Sequence, residues 1–358
     1  MQATNANRLT IILPLKDKPE FTRRWMRFMD DQSCPYQILI ADGGADHGIE
    51  AELRESGNYP NLNYEYIRYP FDSEFKYFFK KLCNVCSKVD TDYILFADND
   101  DFYDINYFNK YISFLDQRKD YVGIRGKTAL FWINSDEEIK LNSPKGDGYD
   151  AIGLSGESIE DSTYVGRIEK FLSEIEFLDH FMNWYSINRT KGVRDALMLL
   201  DKYENIDPFI HEFMFFILLL KQGKFKVDEH YSYFRQHGSS QALASLMEVQ
   251  PLAFRRIFTT NSFSSIYSIL GLIENSGIEV SKILTAISKM FERQILEFNR
   301  PKSLVQKIKI FYIRYPKIYF VMYEIHKLFM RIFRKKFFLK VDLIERYIVS
   351  FQKIDHRK

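Results

Sequence analysis

Four consecutive residues, Asp98-Asn99-Asp100-Asp101, crowd three carboxylates into one short stretch of the chain. Ionised carboxylates at this spacing repel one another, and a bound cation removes that cost. The D-x-D formed by Asp98 and Asp100 offers hard oxygens suited to Mg²⁺ or Mn²⁺, an ion that also holds a nucleotide diphosphate. Such an ion neutralises the charge that develops on a departing diphosphate. The tripeptide alone is common, and its position says more. It follows an apolar run, Tyr93 to Ala97, and two other apolar runs end in the same way. Leu9 to Leu15 leads into Lys16 and Asp17, and Tyr36 to Ala41 leads into Asp42-Gly43-Gly44.

These runs must be strands that bring the polar residues to one edge. LTIILPL is β-branched and continuous, as expected of a strand buried on both faces and stopped by Pro14. Pro19 to Asp31 carries Phe21, Trp25, Phe28 and Met29 at helical spacing. A polar helix near Gly48 to Ser56, a strand at Asn63 to Ile67 and a helix at Ser73 to Val89 follow. The alternation predicts an α/β fold with a mostly parallel sheet and helices on both faces. Ligands of such sheets bind outside the carboxyl ends of the strands, where these acids lie. Asp and Gly are also ordinary turn formers, so the coincidence of three acidic strand ends carries more weight than Asp42 alone.

Beyond Ile133 the pattern blurs. The Gly/Ser/Asp-rich stretch from Asn134 to Gly166 reads as a loop over the site. Helices are expected at Arg167 to Phe181, Gly192 to Tyr203 and Asp207 to Gly223, the last capped by Gly223. Short strands are expected at Phe225 to Val227 and Tyr231 to Phe234. From there to the end the pattern is helical.

The chain has 358 residues, 46% hydrophobic and 27% charged, which excludes disorder and collagen-like structure. Its net charge of +2 conceals a split, because residues 300 to 358 hold 16 Lys/Arg against 4 Asp/Glu. The rest of the chain is acidic. Residues 302 to 350 interleave aromatic and aliphatic residues with Lys and Arg, a pattern suited to an anionic membrane interface. The bland alternative is a helical domain packed on the acidic body. Charge alone does not argue for nucleic acid, since no recognition motif accompanies it. Cys34, Cys83 and Cys86 are too few for a disulfide framework. The C-x-x-C of Cys83 and Cys86 has no second pair at zinc spacing and reads as helix core. The first ten residues lack the basic start and apolar core of a secretory signal. The apolar run from Phe213 to Leu220 falls short of the ~20 residues a membrane helix needs. The expected location is cytoplasmic and peripheral, on the inner face of the cell membrane.

With LTIILPLKDKPEF, ILIADGG, YILFADNDDF, IHEF and KQGKFKVDEHYSYFRQHGSS in this order, residues 8 to 240 resemble the GT-A fold glycosyltransferases of the family 2 type. The resemblance implies a catalytic domain over residues 1–240, with nucleotide-sugar binding in 1–130 and acceptor and base functions in 131–240. A basic, aromatic-rich helical region would occupy 241–358. It implies an inverting, metal-dependent transfer of a sugar, of hexosyltransferase type, from a nucleotide diphosphate sugar to a glycan or lipid-linked acceptor. A UDP-sugar is the favoured donor. Carried over position by position, Pro14, Lys16 and Asp17 would line the base pocket and Asp42 would bond the nucleobase. Asp98 and Asp100 would meet the metal, with Asp98 also near the ribose and Asp101 assisting. Glu212 would be the general base, its pKa raised by the apolar setting of PFIHEFMFF. The family's following Asp is missing here, and His211 is the other candidate. His237 would approach the metal, and Arg235 would neutralise phosphate. Trp184 and Tyr185 would stack on an acceptor sugar, although aromatics at such spacing also build cores. Lys80, Lys81 and Asn84 read as a solvated helix face.

Three other functions compete. A phosphohydrolase with Asp98 as nucleophile would carry its D-x-D on the first strand. A non-catalytic scaffold recruited by the basic tail would have no need of acids at three strand ends and at Glu212. A nucleotidyltransferase needs a Gly-rich, Arg-containing phosphate loop after its first strand, and LPLKDKPEF has none. Donor, acceptor, linkage and homo-oligomerisation are left open by the sequence.

Overall fold

The computed structural model describes residues 5–55, 57–133, 149–154, 156–173, 183–203, 208–237 and 281. The basic segment 302–350, and all of the expected helical region except residue 281, lie outside the described residues.

The first half follows the apolar pattern closely. Strand β1 (Leu9–Leu15), helix α1 (Pro19–Asp31), β2 (Gln37–Asp42), α2 (Glu50–Arg54), β3 (Asn63–Arg68), α3 (Phe75–Ser87) and β4 (Tyr93–Phe96) succeed one another. The four strands are parallel, in the order β3-β2-β1-β4. After β4 come the short β5 (Phe102–Tyr103), α4 (Phe108–Gln117), β6 (Tyr121–Ile133), β7 (Tyr149–Leu154) and α5 (Tyr164–Ser173). The chain continues with β8 (Ile187–Arg189), α6 (Thr190–Leu200), α7 (Pro208–Gln222) and β9 (Lys224–His237). Beyond β4 the sheet turns mixed. β8 runs antiparallel to β4, β6 antiparallel to β8, and β9 parallel to β6.

Helices cover both faces because successive strand residues point opposite ways. In β4 the Tyr93 hydroxyl donates to Asp116 of α4, whereas Phe96, three residues on, stacks on Trp184 and meets Phe215 of α7. Helices α3, α6, α7 and α5 pack consecutively into one layer. Cys83 and Cys86 lie in α3 as free thiols, Cys86 fully buried.

Three expectations need correction. Within the stretch from Asn134 to Gly166, the described residues include regular structure, since β7 pairs with β6 and α5 begins at Tyr164. The expected strands at Phe225 and Tyr231 are one strand, β9, whose register against β6 shifts near Lys127 to absorb the polar Asp228-Glu229-His230. Lys81 does not face solvent. It is buried, its ammonium paired with the buried Asp72 and donating to the Leu15 carbonyl at 2.9 Å. Lys80 and Asn84 are exposed as expected.

This pair ties α3 to the end of β1 and to the loop after β3. Burial pushes the Asp72 carboxyl up and the Lys81 amine down, and each partner's charge opposes the shift in the other. Removing one member of a buried pair costs about 3–5 kcal/mol because the other charge is stranded. Lys81→Met is therefore expected to lose about that much stability at neutral pH in urea unfolding. An unpaired Asp72 would be held protonated in the fold above its unfolded pKa, so its penalty grows as pH rises. The deficit against wild type should narrow on acidification to about pH 5. A deficit that does not change with pH would show that Asp72 is not the stranded charge.

Candidate active site

β4 leaves the sheet after Phe96, paired with Ile12, while β1 runs on to Leu15 beside Asp42 of β2. Pro14, which has no N–H to give, lies in the stretch of β1 with β2 alone as neighbour. The space opened there is filled by the acidic turn. Carboxylate oxygens of Asp98, Asp100 and Asp101 all lie within 4.8 Å of one another.

The turn is anchored from three sides. Asp101 is fully buried: one oxygen accepts from the Gln236 N–H at 2.9 Å and the other from the Tyr233 hydroxyl. Asp98 accepts from the Tyr185 hydroxyl at 2.5 Å. The Asp100 carbonyl accepts from the Arg24 guanidinium of α1 at 3.0 Å. Tyr103, Tyr185 and Tyr233 pack ring against ring beneath these carboxylates, at 5.0 and 4.8 Å. Arg235 lies 4.9 Å over the Tyr185 ring.

The electrostatics follow from this crowding. Burial, then the Asp100 charge, lifts the Asp98 carboxyl to about 6, against the pull of Arg235 and the Tyr185 hydrogen bond. Asp101 is pushed well up for the same first two reasons. Burial works against the Arg235 charge, but Tyr185, Tyr233, Asp101 and Asp98 outweigh it and hold its pKa well above the ordinary value. Burial brings Arg24 down to about 10, still protonated at neutral pH, with Asp100 and Asp101 opposing the shift. Two guanidiniums thus face three carboxylates. Such a set of hard oxygens fits a divalent cation of the Mg²⁺ or Mn²⁺ kind.

Asp42 is buried at the end of β2 and already bonded on both oxygens. It accepts from the Gly44 N–H at 2.8 Å, the Tyr66 hydroxyl at 2.6 Å and Arg68 at 2.9 Å. Asp17 and Lys18 adopt left-handed backbone, φ 61° and 58°, uncommon for residues with a Cβ. The Asp17 carboxylate steadies the bend by accepting from the N–H groups of Ala45 and Asp46 at 2.7 and 3.0 Å. Gly44 must lack a side chain here, since a Cβ would stand 2.6 Å from the Asp17 nitrogen. Lys16 is exposed.

On α7 the two base candidates part company. His211 is buried, stacked on Phe79 of α3 with ring centroids 3.4 Å apart, and burial lowers its pKa to about 3. Glu212 is half-buried, and its charge contributes to raising the Tyr185 phenol. Glu212 thus addresses the group that bonds Asp98, and His211 addresses the helix layer. Trp184 is only 6% exposed, face to face with Phe96 and tilted on Phe215, so its ring belongs to the core. Tyr185, stacked on Tyr233, presents its hydroxyl to Asp98. Neither ring offers the open face that acceptor stacking would need. His237 ends β9 opposite Trp132, and its side chain is outside the described residues.

Arg24, Tyr103 and Tyr233 escaped the sequence reading. Tyr231, Tyr233 and Arg235 share one face of β9 by simple alternation, a signal the sequence does contain. Arg24 carries none, because it sits among the apolar positions of α1 as any surface arginine might.

No family model matches the sequence, and no curated protein matches it. Among solved structures, the chain is similar to S. aureus TarS 1-349 in complex with UDP-GlcNAc. The identity is 13% over 82% of this chain and 74% of that one, with a TM-score of 0.49. TarS 1-349 in complex with UDP matches at 14% identity, 82% and 73% coverage and a TM-score of 0.46. The longer TarS structure matches at 15% identity and a TM-score of 0.47, and the chain spans 44% of its length. The likeness is one of fold, and TM-scores below 0.5 carry no argument about what this chain binds. Among the described residues no helix is long and apolar enough to cross a membrane.

Burial and the Asp100 charge hold the Asp98 carboxyl up at about 6, so a proton there would compete with any cation the turn binds. Mn²⁺ binding to the protein, followed by calorimetry, should weaken as pH falls through about 6. Tyr185→Phe removes a hydrogen bond to the ionised form, so the same transition should move to higher pH. An unmoved transition would mean that Asp98 does not govern cation binding.

Proposed function

We propose that the chain is an inverting GT-A glycosyltransferase that moves a sugar from a nucleoside diphosphate sugar, UDP-sugars first, to a hydroxyl of a glycan or lipid-linked glycan. The observation that carries this reading is the joint placement of the acidic turn and Arg235. The turn gathers Asp98, Asp100 and Asp101 at the strand end, and the Nη1 of Arg235 is buried with no hydrogen-bond partner among the described residues. A buried guanidinium with a donor to spare, beside carboxylates suited to a cation, is well matched to a diphosphate.

In this reading Pro14, Lys16, Asp17 and Asp42 border the nucleoside. Asp98 and Asp100 hold Mg²⁺ or Mn²⁺, with His237 as a further candidate ligand, and the chemistry a cation supplies there is neutralisation of the leaving diphosphate. Arg235 adds a fixed positive charge on the phosphate side. Glu212 takes the proton from the acceptor hydroxyl, whose oxygen then attacks the anomeric carbon from the face opposite the diphosphate. The isolation of His211 against Phe79 supports Glu212 in that role. The charge of segment 302–350 supports a seat for that segment on an anionic membrane at the cytoplasmic face, close to a lipid-linked acceptor.

Two measurements test the reading. In thermal unfolding with UDP, GDP, CDP or dTDP, with and without Mn²⁺, one diphosphate should raise Tm in a cation-dependent way that Asp100→Ala abolishes. Failure of all four overturns it. With the donor so identified, Glu212→Gln should lower kcat by about 10²- to 10⁴-fold with little change in donor KM, as expected for loss of a general base. An unchanged kcat would remove Glu212 from the chemistry.

A further inference from the structure

We propose that Phe71 is the stacking surface for the nucleobase of the donor, an inference that rests on the nucleotide-sugar reading above. Phe71 is 48% exposed, and only Tyr77 and Met198 are comparably open among the large apolar side chains of the described residues. Met198 lies on α6 and Tyr77 in the first turn of α3. Phe71 instead sits in the link from β3 to α3, beside the ends of β1 and β2.

The backbone on either side of this open ring is fixed. The Tyr69 N–H donates to the Asp42 carbonyl at 2.7 Å and the Asp72 N–H to the Gly43 carbonyl at 2.8 Å. Pro70 locks one φ between them. The Ser73 N–H donates to the Phe71 carbonyl at 2.9 Å, and the Tyr69 hydroxyl donates to Asn84 of α3 at 2.8 Å. Asp72, the next residue, is buried on Lys81 and packed so closely on Gly43 that a Cβ there would meet its carboxylate at 2.5 Å. Hydrogen bonds, a proline and a buried ion pair therefore hold a solvent-facing aromatic ring next to Asp42 and Gly43. The Lys16 ammonium, one residue past β1, lies over one face of the ring, 5.6 Å from its centroid, and leaves the other face for a base.

A rigid ring loses little freedom when it binds, and any base has a π-face to lay on it. The neighbouring Lys16 cation suits the ribose-phosphate end of a nucleotide whose base covers the ring. Stacking is tolerant of base identity, so Phe71 sets how tightly the nucleoside is held, and the polar groups around Asp42 are left to choose the base.

The test is calorimetric binding to the full chain of whichever diphosphate binds wild type among UDP, GDP, CDP and dTDP. The matching nucleoside and pyrophosphate are titrated alongside, with Mn²⁺ present. Phe71→Ala should weaken both the nucleotide and the nucleoside by about tenfold or more, on the scale of base–aromatic stacking, and leave pyrophosphate binding and Tm unchanged. Phe71→Tyr should restore nucleotide affinity. Nucleotide binding by Phe71→Ala equal to wild type, or an equal loss for pyrophosphate, overturns the assignment while leaving the donor reading intact. Failure of every nucleotide to bind wild type overturns the donor reading and this inference together.

Discussion

Carboxylates within 4.8 Å of one another repel, and burying them raises the cost because water no longer screens the charges. The region around Asp98, Asp100 and Asp101 is organised to meet that constraint. Tyr233, Tyr185 and the Gln236 N–H donate to the oxygens, and Arg24 and Arg235 supply positive charge from opposite sides of the sequence. Hydrogen bonds to charged groups are worth roughly 1.5–3 kcal/mol each, a scale suited to holding the turn in place. The elevated pKa of Asp98 reflects its burial first and the Asp100 charge second.

The sheet is what allows donors so distant in sequence to converge. β9 lies between β6 and β5, and its alternation brings Tyr233 and Arg235 to the acidic turn, while the 183–185 helical turn before β8 delivers Tyr185. A second centre of compensation stands at the ends of β1 and β2. There Asp72 with Lys81, and Asp42 with Arg68 and Tyr66, fix the loops through which Lys16, Asp17 and Phe71 reach the surface. The two centres differ in kind. The first leaves the Asp98 and Asp101 carboxyls raised above their ordinary range; the second pairs acids with basic partners and serves as a frame.

The apolar runs made the first four strands and their helices legible, because strands buried on both faces leave continuous hydrophobic stretches and α1 shows its buried stripe at helical spacing. The acids at the strand ends were legible for the same reason, since parallel strands end on a common edge. Lys81 was misread, and Trp184 was left between an acceptor contact and the core, where its ring lies. An aromatic side chain in sequence does not declare whether its face is open, and a lysine in an amphipathic helix looks solvated unless its partner is known. That partner, Asp72, lies nine residues earlier in a loop with no periodicity to place it.

Sequence alone determined which residue types end the strands, how the charge is divided along the chain, and the α/β alternation that follows from hydrophobic period. All of these are local properties of the chain. Tertiary structure gave His211 and Glu212 different surroundings, because a rotation of about 100° per residue on α7 stacks one on Phe79 and leaves the other half-buried, its charge felt at Tyr185. It also decided that Asp101 is an anchor and that Tyr185 serves Asp98. Those roles depend on contacts between residues 87 and 135 positions apart, and only the sheet brings them within a hydrogen bond of one another.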